Sequence, residues 1–95
     1  MNKQRLFYEA RAKEMVLALQ QAHEVSYTDL AERLRAHGVA LSRRALTNKL
    51  HRGTFSFAFA LQVLAALGET SIPVPQLPPE LWHTHRSKPL PQPED

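Results

Sequence analysis

Eight side chains between positions 28 and 52 have the chemistry and the spacing to grip a nucleic acid. If residues 43–52 form a helix, Arg44, Thr47, Asn48, His51 and Arg52 share one face of it at 100° per residue. An Arg can give two donors to guanine O6 and N7, and an Asn can bond adenine N6 and N7. Arg43 and Lys49 lie nearer the rim of that face and suit phosphate oxygens. Thr28, in the first turn of the preceding helix, can take another phosphate beside free backbone N–H groups.

Such a face needs a rigid seat. Leu46 and Leu50, four positions apart, supply an apolar inner side, with Ser42 as N-cap and Gly53 as stop. The preceding helix is expected to begin near Ser26, with Asp29 three positions on, a weaker relative of the capping box. Tyr27, Leu30, Ala31 and Leu34 form its inward face, and small Ala31 lets the two helices approach. Gly38 can close the helix in the left-handed conformation, with Val39 and Leu41 anchoring the turn.

Charge agrees with this placement. The net charge is +3 over 95 residues, but residues 26–53 hold six Lys and Arg against two acids, a net +4. Residues 69–95 hold two against four, a net −2. Counterion release from phosphates is then the driving force expected of the basic segment.

Two further helices complete a small all-α domain of four helices. The first spans about Lys3 to Ala22, with an apolar stripe of Tyr8, Ala12, Met15, Val16 and Leu19. Leu6, Ala10 and Leu17 form a spare stripe, with Phe7 and Ala18 beside it. The last helix starts after Ser56 and runs to Leu67, with Gly68 as its stop. It has a single polar residue, Gln62, so it reads as the central buried element. A homodimer is expected through the spare stripe or through surplus apolar surface on this last helix.

All seven prolines fall at or beyond position 73. The helical domain is therefore assigned to residues 1–70 and a Pro-rich, flexible tail to residues 71–95, without helical period. Within the tail, Leu77, Leu81 and Trp82 can anchor in a groove of this domain or of a protein partner. Otherwise the tail is expected to be dispensable for the fold and for DNA binding.

Other chemistry finds little support. The chain has no cysteine, so it offers no disulfide, thiolate metal site or cysteine nucleophile, which suits a cytoplasmic location. His83 and His85 are two ligands where a metal site needs three or four. His23, His37 and His51 read as ordinary surface histidines rather than metal ligands. No phosphate loop, carboxylate pair or Ser/His/Asp set stands out, so no enzyme and no cofactor is expected. The first ten residues lack a long apolar run, so neither a signal peptide nor a membrane span is expected.

At the level of families, DLAERL…GVALSRRALTNKL…RG resembles the helix-turn-helix of the lambda-repressor-like superfamily. The longer run VSYTDLAERLRAHGV…LTNKLHRGTFSFAFALQVLAALG is similar to a bacterial family catalogued as domain of unknown function 6471, over roughly residues 8 to 68. That resemblance implies a small helical domain. Six residues separate Ala31 from Gly38 where the repressor motif has three, so about one extra turn is expected there. The reading is a non-enzymatic domain that binds double-stranded DNA, in transcriptional regulation. The alternative is a protein-interaction module acting through its apolar helices or its Trp-bearing tail.

Overall fold

The computed structural model describes residues 2–82, and the histidine pair at 83 and 85 lies outside them. Four α-helices follow in order: α1 Lys3–Ala22, α2 Tyr27–Arg35, α3 Arg43–Arg52 and α4 Phe57–Leu67. The described residues contain no β-strand. Each helix starts on a side chain that captures a free backbone donor. Asn2 Oδ1 accepts from the Arg5 N–H at 3.0 Å. The hydroxyls of Ser26, Ser42 and Ser56 accept from Asp29, Ala45 and Phe59 at 3.1, 3.1 and 3.0 Å. Caps of this kind contribute about 1 kcal/mol each.

The helix ends are equally local. The α2 helix gives way after Arg35 to a tightened turn, in which Ala36, His37 and Gly38 each bond three residues back. Gly38 then takes φ +86° and Val39 N–H returns to the Leu34 carbonyl at 2.9 Å. The extra turn expected before Gly38 is thus wound mostly as this tighter closure. The α1 helix ends without a glycine. Glu24 itself takes φ +55°, so that Val25 N–H can reach the Gln20 carbonyl at 3.1 Å.

Both α1 and α2 pack against α3 and α4. Leu30 and Leu34 of α2, Leu46 and Leu50 of α3, and Val63 of α4 are fully buried at the centre. Each such burial stabilises the fold by roughly 1.5–3 kcal/mol. Val39 and Leu41 pack on this core from the turn, as expected. Gln20 is buried as well, and its amide donates to the Val25 carbonyl at 3.1 Å, so no polar atom is left unsatisfied there.

Two expectations need correction. The α4 helix is not buried all round: Phe59, Val63, Leu64, Ala66 and Leu67 face the core, but Phe57, Ala58, Leu61 and Ala65 are exposed. Three helices cannot enclose a fourth in so short a domain, so one side of α4 meets solvent. On α1 the two stripes also divide differently. Leu17 packs against the core, whereas Tyr8 and Leu6 are exposed. The spare surface of α1 is therefore centred on Leu6 and Ala10.

Residues 69–82 carry no α-helix and run back along the helices. His23 Nε2 lies 2.7 Å from Glu69 Oε2 where the segment leaves α4. The segment continues past α1 and α4, and the Gln4 side-chain amide donates to the Leu81 carbonyl near the start of α1. Pro79–Leu81 form a 3-10 turn, and Trp82 donates its indole N–H to the Leu77 carbonyl at 3.1 Å.

Candidate nucleic-acid interface

Leu46 and Leu50 seat α3 on the core and so determine which side of it remains outside. The turn that leads into α3 is fixed from α4, where the Gln62 amide donates to the His37 carbonyl at 2.9 Å. On the far side, Gly53 closes α3 at φ +76°, against the stem of Lys13 from α1. A helix seated by two leucines and packed against α1 at its C-terminal end presents one defined outer face.

Arg43, Arg44, Asn48, Lys49, His51 and Arg52 are all exposed on α3, and Thr28 is exposed in the first turn of α2. Thr47 is half-buried and its hydroxyl donates to the Arg43 carbonyl at 2.8 Å. That bond commits its only proton to the helix itself. Among the described residues, the ion pairs involve Arg5, Arg11, His23 and Arg35, and none involves a cation of α3. Among the described residues, no carboxylate therefore neutralises the four formal charges of α3.

Two of the side chains are held by neighbouring elements. Lys49 leans toward α4, with Nζ 4.8 Å from the centre of the Phe59 ring. His51 leans the other way, with Nε2 2.9 Å from the Tyr27 hydroxyl of α2. His51 is exposed, as expected of a surface histidine, and this is its one side-chain hydrogen bond among the described residues. Arg44, Asn48 and Arg52 occupy the strip between these flanks, opposite Leu46 and Leu50. No single-sequence pattern identifies Tyr27 and Phe59 as the partners of His51 and Lys49. The one available signal is that both are aromatic residues at inward positions of their helices.

The family model for domain of unknown function 6471 matches residues 8–72, more than half of the chain. The chain belongs to this family. The match includes the whole of α2, α3 and α4 and most of α1. No curated protein and no solved structure matches the chain.

A second surface, formed partly by residues beyond the family match, is apolar. A groove of about 190 Å³ lies between α1 and α4, walled by Tyr8, Met15 and Phe57 and closed on one side by Ile72 to Pro75. Phe57 is 73% exposed and Val74 is 81% exposed. Among the described residues no cluster of three or more His, Cys, Asp or Glu could hold a metal. No helix among them is long and apolar enough to cross a membrane.

Proposed function

We propose that this domain binds double-stranded DNA, with α2 and α3 acting as a helix-turn-helix of lambda-repressor-like kind and α3 entering the major groove. The observation that carries the reading is the outer face of α3, where cations without a carboxylate partner among the described residues flank Asn48 on a helix seated by Leu46 and Leu50. Arg44 and Asn48 face base edges, while Arg43, Arg52 and Thr28 serve phosphates. Binding needs no catalysis and no cofactor, and the role is transcriptional regulation in the cytoplasm. Combined Ala substitution of Arg43, Arg44 and Arg52 tests it. All three side chains are exposed, so the fold should survive while affinity for duplex DNA collapses. Unchanged affinity in the folded triple variant would remove α3 from the interface.

The apolar groove supports the second reading, a protein-interaction module. In that case Phe57 and Val74 anchor a partner and the basic face is only solvated. A homodimer draws on the same surplus, since Leu61 and Leu6 are also exposed. Dimerisation would double the few base pairs that one such domain reads. A monomer in sedimentation at high micromolar concentration contradicts the dimer.

A further inference from the structure

Among the described residues, one side-chain hydrogen bond joins α2 to α3: that between Tyr27 and His51. Tyr27 is half-buried and its hydroxyl has no other partner among these residues, whereas His51 is exposed. A phenol proton is a good donor and a bare imidazole nitrogen a good acceptor. The bond made by one ring nitrogen decides which nitrogen carries the proton. We infer that Tyr27 is a positioning residue: its hydroxyl donates to Nε2 of neutral His51, places the ring proton on Nδ1, and so sets His51 as a fixed donor to a DNA phosphate oxygen. This step rests on the DNA reading above.

Three features favour a phosphate as the acceptor. His51 lies in the last turn of α3, whereas base edges are reached chiefly from the N-terminal part of a recognition helix. A single N–H lacks the paired geometry by which Arg and Asn tell bases apart. Thr28, the residue after Tyr27, is exposed and adds a hydroxyl at the same end of α2.

The ordinary imidazole keeps its proton on Nε2, so the inferred tautomer is the reverse of what a free side chain adopts and can be seen directly. The full chain, labelled with ¹⁵N-histidine and held at about pH 8 where an ordinary imidazole is neutral, is examined by NMR. His51 is assigned from the spectrum of His51→Ala. The expected wild-type result is a protonated Nδ1 and an unprotonated Nε2, reverting in Tyr27→Phe. A proton on Nε2 in the wild type overturns the inference, and this readout does not need Tyr27→Phe to fold. Affinity for a mixed-sequence duplex about two helical turns long supplies the second readout. Tyr27→Phe and His51→Ala are each expected to weaken binding about five-fold, and the double variant about five-fold rather than the product, as for one lost neutral hydrogen bond. Multiplying losses would show that the two residues act separately and would overturn the positioning role. If the wild-type chain binds no duplex at all, the DNA reading itself fails, whatever the tautomer.

Discussion

Lys49 Nζ sits 4.8 Å from the centre of the Phe59 ring, so a cation on the candidate interface is also a tie between α3 and α4. Pairs of this kind at exposed sites contribute about 0.5–1 kcal/mol. Lys49→Ala should lower stability by about that amount in urea unfolding. It should also flatten the salt dependence of DNA binding less than Arg43→Ala or Arg52→Ala does, because the ring holds the ammonium away from the outer strip. An effect on the salt dependence equal to that of the two arginines, with no change in stability, would show that the ring contact is absent in solution.

Arg44 and Asn48 are expected to behave oppositely. Both are exposed and neither makes a side-chain hydrogen bond or ion pair among the described residues. Their Ala variants should unfold within about 0.5 kcal/mol of the wild type. Each should cost on the order of 1–3 kcal/mol on a DNA sequence enriched by the wild type and should relax its preference at one position. Equal losses on every sequence would reduce α3 to a non-specific basic patch.

The closure of α3 gives a stability test independent of DNA. Gly53 and Gly68 both have left-handed backbones, at φ +76° and +91°. A Cβ at position 68 meets nothing within 4 Å, whereas one at position 53 comes to 3.3 Å from Lys13 Cβ. Gly68→Ala should cost the backbone strain alone, about 1–2 kcal/mol. Gly53→Ala should cost more, since two elements must also part. Thermal unfolding of the pair checks the order.

Much of this architecture is written locally. Ser26, Ser42 and Ser56 mark helix starts, and Gly53 and Gly68 mark stops, because capping depends on residues three or four positions apart. The Leu46 and Leu50 pair likewise states which side of α3 is inside. What sequence spacing does not reveal depends on neighbours met only after folding. Phe57 and Leu61 of α4 look as apolar as Phe59 and Val63, and only the packing of α1, α2 and α3 decides which pair is covered. Lys49 and His51 look alike as basic residues near the end of a helix, yet one meets Phe59 and the other Tyr27. Glu24 gives no local sign of its left-handed backbone, which follows from the need to return Val25 to the core.

The path of residues 69–82 alters what truncation should do. Removal after Gly68 takes away the His23–Glu69 pair, the Ile72–Pro75 wall of the groove and the Gln4–Leu81 contact. Helical circular dichroism should persist, since all four α-helices and their N-caps lie within the remaining chain. The melting temperature should fall, and apolar dyes should bind the uncovered groove between α1 and α4. An unchanged melting temperature would mean that the segment does not rest on the helices in solution. Trp82 is the only tryptophan and is 39% exposed, so its fluorescence in the full chain gives a second view of the same contact.

DNA binding by the basic face of α3 is tested most directly by titrating the full chain against duplex DNA at several salt concentrations. If the four formal charges of α3 displace about four counterions, the logarithm of the binding constant should fall with the logarithm of salt at a slope of about −3.6. The triple variant lacking Arg43, Arg44 and Arg52 should show both weaker binding and a shallower slope. No binding by the wild-type chain at low salt would contradict the proposal outright.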